Sequence, residues 1–376
     1  MTTHAVRLDV AGATATVLSS DEAVTDWTAR YFGQWWNATE VPPESVCTGS
    51  VVIASVDRDE YDALALGVTQ EPHTSTQYAR AQLLLSHEVS SGVIRAVCPG
   101  QRLAYRSEPG AGQLQIIGCD SEAVATATAR LAREVVRGIL LRDGWALLHA
   151  SAVVDQDGRA ILTFGQKGAG KTTTALALTA RHDLRLLAND RVFVRPDQNS
   201  GVDVVPWPAA AAVGLGLVVS LGWFGIVQQR LDSGEQLHPT QDQRVTAALR
   251  AGVSEPLWDK GKELKAQVFP DQFERWFGVP LATGGSAAAL VFPRIEADAL
   301  PAEENTVRTL GDGDFMSGET EDRYPDVFGL LGMDGGGARS VRQEIARRLG
   351  ALPHHSVVLT RDVAANGDFL AKRVGV

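Results

Sequence analysis

The chain is poor in cysteine. Its three thiols, Cys47, Cys98 and Cys119, lie far apart among 376 residues, with no CxxC pair and no histidine at zinc-ligand spacing. That excludes a disulfide framework or a structural zinc centre as the organising device, and it fits buried thiols in a reducing compartment. Basic runs are lacking too. Against 45 Asp and Glu stand 35 Lys and Arg, for a formal charge of −10 and a pI near 5.3. A protein that tracks a phosphodiester backbone gathers cations on one face, so nucleic acid is not expected as a partner. The opening MTTHAVRLDVAG has neither a charged n-region nor an apolar h-region, so export is not expected and a cytoplasmic protein is.

Long apolar runs are nearly absent as well. The exception is Ala209–Val227, 19 residues without a charge, which is close to membrane-spanning length. Half of it is Ala and Gly, which add little to insertion. Spanning would also separate the glycine-rich loop described below from the polar last third of the chain. A buried, glycine-punctuated helix and strand is the expectation, with no membrane contact. The remaining composition, 44 % hydrophobic and 21 % charged, predicts a soluble chain of two or three domains.

Residues 1–144 read as an α+β domain with an accessory or substrate-binding role. VRLDV and TATVL alternate as half-buried strands do, and SVVIASV (50–56) is a third strand. Ser20 and Asp21 are capping residues ahead of a helix that spaces Val24, Trp27, Tyr31 and Trp35 at helical intervals. Asp120–Leu141 reads as a long amphipathic helix. Nothing in this half carries phosphate, metal or nucleophile chemistry.

From Trp145 the texture changes, and 145–376 is expected to form the second domain. ALLHASAVV and RAILTFG are apolar runs joined by DQDG, whose Asp157-Gly158 favours a hairpin turn. The second run feeds into GQKGAGKTT (165–173), then a helix, then the strand LRLLAND. Strand, loop, helix, strand is an α/β nucleotide-binding unit. The loop fits GxxxxGK(S/T) in the context that gives the motif its meaning. Gly165, Gly168 and Gly170 let the backbone amides turn inward, and the new helix adds its positive end. Gln166, Lys167, Ala169 and Thr173 complete the cradle. Lys171 is expected between the β- and γ-phosphates, and the Thr172 hydroxyl is placed to ligate Mg²⁺. ATP and Mg²⁺ are therefore the expected ligands. Asp190, ending the strand one helix later, suits metal or base duty.

Farther on, AAALVFPRI (287–295) reads as a strand and SVRQEIARRLG as a short basic helix stopped by Gly350. LGDGDFMSGETED and MDGGGARS read as loops. Lys260, Lys262 and Lys265, expected in a loop, Arg191, and the acids Glu319, Glu321 and Asp322 are further candidates for charge near a phosphate. Each is also explained as a solvated surface residue. Arg339, Arg342, Arg347 and Arg348 read as an exposed helix face able to attract an acidic peptide.

Together LLHASAVV, the hairpin, GQKGAGKTTTALAL and LLANDRVFV resemble the central unit of the HPr kinase/phosphorylase family. They are closer still to its relatives in biosynthetic clusters, the lasso-peptide tailoring kinases included. The resemblance is clearest over 145–195 and extends loosely over VPWP (205–208) and a later lysine segment. It implies an α/β HPr kinase-like P-loop domain behind an N-terminal α+β domain. It also implies that His149 lies near the transferred phosphate. In that family the strand after the helix ends in paired aspartates, one of them the base for a serine hydroxyl and a partner of Mg²⁺. Here the first is Asn189, which cannot accept a proton, so Asp190, or His149, must take it. The Glu- and Arg-containing motif that follows the paired acids in the true HPr enzymes has no counterpart, which argues against HPr as substrate.

The expected activity is an ATP-dependent kinase with Asp190, His149 and Lys171 as catalytic residues. Its acceptor would be a peptide or small-molecule hydroxyl in a biosynthetic pathway. An ATP-binding regulatory module without transfer and a partner-stimulated ATPase are the alternatives. A homo-oligomer is compatible with the sequence.

Overall fold

A computed structural model describes residues 2–46, 49–296, 298–306, 308–316 and 324–376. The chain is mixed α/β. By its contacts it divides into two compact units, Met1–Ala146 with Met316–Ala338, and Leu147–Phe315 with Arg339–Val376.

The first unit is built on a nine-stranded sheet. Its strands His4–Val10 and Ala13–Ser19 form a hairpin. Ser50–Val56 then runs parallel to both Ala13–Ser19 and Gln113–Gly118. Thr39–Glu40 pairs with His4–Val10 at one edge, and Leu103–Glu108, Val93–Cys98, Ala81–Glu88 and Thr74–Tyr78 continue as an antiparallel meander to the other. Helix Glu22–Phe32 starts where the Asp21 carboxylate accepts the Ala23 amide. It ends at Gly33, whose φ of 42° no ordinary side chain favours. Trp35 therefore lies beyond the helix, in the turn that follows, yet it is buried. Helix Ser121–Arg142 is capped by Asp120 and is buried on most of its circumference.

The linear division at 144/145 does not contain the return of Met316–Ala338 to the first unit. Burial explains that return. Phe328 packs against the Tyr78 and Tyr105 rings, at centroid distances of 5.3 and 5.2 Å. Its carbonyl accepts the Ser107 hydroxyl at 2.8 Å. Arg137, buried within the long helix, donates Nε to the Gly335 carbonyl at 2.8 Å and pairs with Glu134 at 2.9 Å. Gly138 lies so close to the Leu330 carbonyl that any side chain there would collide with it.

In the second unit one mixed sheet runs in the order Ala146–Leu148, Val192–Pro196, Val202–Pro206, Gly285–Ile295, Arg159–Thr163, Ser151–Val154, Arg185–Ala188. His354–Leu359 also joins the long central strand Gly285–Ile295, in parallel with its second half. The hairpin Ser151–Val154/Arg159–Thr163 closes on Asp155, whose Oδ1 accepts the Asp157 and Arg159 amides at 3.0 and 2.8 Å. Helix Lys171–Arg181 packs against the last helix, Val363–Val374. The apolar run Ala209–Val227 is cut into strand Ala211–Gly214, helix Leu215–Ser220 and the start of helix Phe224–Asp232. Among the described residues no helix is long and apolar enough to cross a membrane.

Two expectations fail here. Lys262 and Lys265 do not lie in a loop but on the strand Lys262–Val268 of the hairpin Leu257–Asp259/Lys262–Val268, which pairs with Ala211–Gly214, while Lys260 sits in its turn. Its turn places Lys260 and Gly261 at φ of 48° and 74°, the two-residue geometry that matches strand twist. Ala266 and Val268 alternate into the core. The basic helix, Arg339–Leu349, is not simply an exposed cationic face either. Arg342 is buried beside Asp312, and Arg348 reaches the Asp197 and Gly201 carbonyls at 2.8 and 2.9 Å. Arg347 is exposed and paired with Glu344.

Candidate functional site

Sheet register assembles the site. The strand Arg159–Thr163, which leads into the glycine-rich loop, and the strand Arg185–Ala188 do not touch, because Ser151–Val154 lies between them and antiparallel to both. Ser151 stands opposite Thr163, and Ala152 opposite Ala188. The beginning of the middle strand therefore meets the ends of both neighbours. His149 precedes that beginning, Gly165 follows one end and Asp190 follows the other. Residues far apart along the chain come to one end of the sheet.

The loop has the conformation that its glycines permit. Gly165, Gly168 and Gly170 have φ of 156°, 89° and 107°, values at which side chains are strained. A Cβ at Gly165 would meet the Ala169 Cβ at 2.6 Å, and one at Gly170 would meet Ile295 Cδ1 at 2.8 Å. Phe164 enters the loop with its amide on the Val291 carbonyl at 2.9 Å, and its ring is stacked with Phe292 at 5.7 Å. Ala169 closes a turn onto the Gln166 carbonyl at 3.0 Å. Helix Lys171–Arg181 then begins at Lys171, so its first turn and the positive end of its dipole face the loop. The Lys171 ammonium donates to the Gly165 carbonyl at 2.6 Å, and the Lys171 carbonyl accepts the Ser151 hydroxyl at 2.9 Å.

At the neighbouring strand end, His149 Nε2 lies 3.9 Å from Asp190 Oδ2, and Arg191 Nη1 lies 3.1 Å from the same oxygen. Asn189 is 6 % exposed, and its Oδ1 has no hydrogen-bond partner among the described residues. A buried acceptor without a donor is costly. His149 is held from the other side. Its amide donates to the Asp314 carbonyl at 2.8 Å, and Leu148 bridges to Phe315.

Of the residues read from the sequence, the structure gathers Lys171 with its loop, and His149 with Asp190 and Arg191. Thr172 and Thr173 stand in the first turn of the loop helix, half-buried. Lys262 and Lys265 belong to a different sheet, and Lys260 to its hairpin turn. Glu319, Glu321 and Asp322 lie outside the described residues. Among the described residues there is no cluster of three or more His, Cys, Asp and Glu side chains. Ser151, Asp314 and Phe315 were not legible as parts of this neighbourhood. LGDGDF reads locally as a turn, and no short-range signal links it to His149. Comparison of the chain with protein-family models and with curated proteins returns no match.

Proposed function

We propose that the second unit binds Mg-ATP and passes its γ-phosphoryl group to a hydroxyl, as an HPr kinase-like P-loop phosphotransferase. The reading is carried by the convergence of the phosphate loop with His149 and Asp190 at one sheet end. The loop amides and Lys171 would hold the triphosphate, the ammonium exchanging the Gly165 carbonyl for phosphate oxygens. Gln166, Lys167, Gly168 and Ala169 line that turn. The Thr172 hydroxyl and the Asp190 carboxylate would hold Mg²⁺, which when bound supplies charge neutralisation at the phosphates. The fit is supported by the left-handed loop glycines and by the unpartnered Asn189 Oδ1 beside Asp190.

In the transfer, the acceptor oxygen bonds to the γ-phosphorus as the bond to the β–γ bridging oxygen breaks. The hydroxyl proton passes to Asp190 or to His149 Nε2, and ADP leaves. The acceptor would be a Ser or Thr of a peptide or small protein, or a small metabolite of a biosynthetic pathway. The Arg191 guanidinium, 3.1 Å from the Asp190 carboxylate, adds a cation at the same strand end.

Asn189 favours a second reading, an ATP-binding module without transfer, because an amide stands where the resembling family has an acid. One assay separates the two, with ATP labelled at the γ-phosphate and incubated with Mg²⁺ and candidate hydroxyl acceptors. Label on an acceptor supports the kinase. Label that stays entirely in bound ATP supports the module, and partner-stimulated release to water would indicate an ATPase.

A further inference from the structure

His149 is held in place by a turn that no motif announces, and the turn is tied to the phosphate-loop entrance through one side chain. Asp314, whose carbonyl accepts the His149 amide, is buried. Its carboxylate accepts the Gly311 amide at 3.0 Å and forms a close ion pair with Arg308. A buried carboxylate needs such a cation, because one amide does not replace its hydration. The same guanidinium lies over the Phe292 ring at 5.1 Å from its centroid. Phe292 is stacked on Phe164, the residue that leads into the loop. The turn is also fastened at its start, where the Ser356 hydroxyl donates to the Thr306 carbonyl at 2.7 Å.

Arg308 thus spans two fixed bodies. On one side is the aromatic pair at the loop entrance. On the other is the Asp314 turn that carries the backbone acceptor for His149. A planar guanidinium can stack on a ring face and fork onto a carboxylate at once, which an ammonium does less well.

We propose that Arg308 is a positioning residue for His149, acting through the Asp314 turn and fixing the distance between the histidine and the phosphate-loop entrance. The inference rests on the reading of His149 as part of a phosphoryl-transfer site. Its structural half stands apart from that reading.

The test reads both halves. Amide hydrogen exchange at His149 and at Val153 is measured in wild-type protein, Arg308→Ala, Arg308→Lys and the control Arg294→Ala. Arg294 sits on the strand Gly285–Ile295 that carries Phe292 but pairs with Glu304 and Glu296 at the surface. Arg308→Ala should speed exchange at His149 by ~10-fold or more while Val153 in the hairpin keeps its protection. Arg308→Lys should fall between, and Arg294→Ala should match wild type. In ATP turnover, Arg308→Ala should lower kcat by ~10- to 100-fold, with KM for ATP within about 2-fold, as expected for a misplaced group outside the nucleotide contacts. Unchanged exchange at His149 in a folded Arg308→Ala protein overturns the proposal. So does equal loss of protection at His149 and Val153, which would mark general destabilisation. If Arg308→Ala does not fold, the same comparison is decided on Arg308→Lys. Wild-type protein that transfers no phosphate defeats the functional reading, while the exchange data still judge the clamp.

Discussion

His149 Nε2 and Asp190 Oδ2 lie 3.9 Å apart, and the same carboxylate oxygen takes Arg191 at 3.1 Å. One acid therefore serves two cation-capable neighbours, at a strand end where the preceding residue is an amide. No second carboxylate at Asn189 can share the load.

Removing that acid should stop transfer and spare binding. Asp190→Asn is expected to lower phosphotransfer by ~10²- to 10⁴-fold, the usual weight of a general base, while calorimetric titration still shows ATP bound by the loop. Full activity in this variant would remove the proposed site. His149→Ala distinguishes the roles: a loss as deep as that of Asp190→Asn assigns the proton to the histidine.

Nucleotide affinity should reside in the loop. Lys171→Ala is expected to weaken ATP binding by about tenfold or more, through loss of a point charge beside the phosphates. Gly170→Ala should weaken it as well and cost ~1–3 kcal/mol of stability, since alanine must adopt a left-handed φ with its methyl against Ile295. Titration calorimetry and urea unfolding read the two effects, and unaltered ATP affinity in both variants would contradict the loop's role.

In the first unit, Arg137 joins the long helix to the returning segment through Glu134 and the Gly335 carbonyl. Arg137→Met strands a buried carboxylate and a buried carbonyl. It should destabilise that unit by ~3–5 kcal/mol, seen as a lowered urea midpoint. The double variant with Glu134→Leu should recover part of the loss, because the carboxylate that Arg137→Met strands is then gone.

High pH should weaken the same unit. Burial pushes the Tyr105 hydroxyl up to about 12, against an opposing pull from Arg130, and burial raises Tyr78 further still. A phenol held neutral in the fold contributes stability that is intact below its unfolded value of about 10. It is lost as pH climbs from there through the folded value. Stability should thus decline as pH rises above ~10, and ultraviolet difference absorbance should show phenols that ionise well above ~10 or on unfolding. Tyr105→Phe should lose one late-titrating phenol and flatten part of the decline.

The sequence by itself determined what is local. Glycines at 165, 168 and 170, a lysine at 171 and a strand before them dictate an inward-turned loop on a helix start, because sterics and unpaired amides act within a few residues. The Asp155–Gly158 turn and the Asp21 and Asp120 caps were legible for the same reason. Tertiary structure decided which elements became neighbours. Placing Ser151–Val154 between two strands brought His149 beside Asp190. Burial of Phe328 and Arg137 drew Met316–Ala338 back to the first unit, and Arg308 met both Phe292 and Asp314. Such choices depend on apolar area and buried charge shared among distant segments, and no short window of residues contains them.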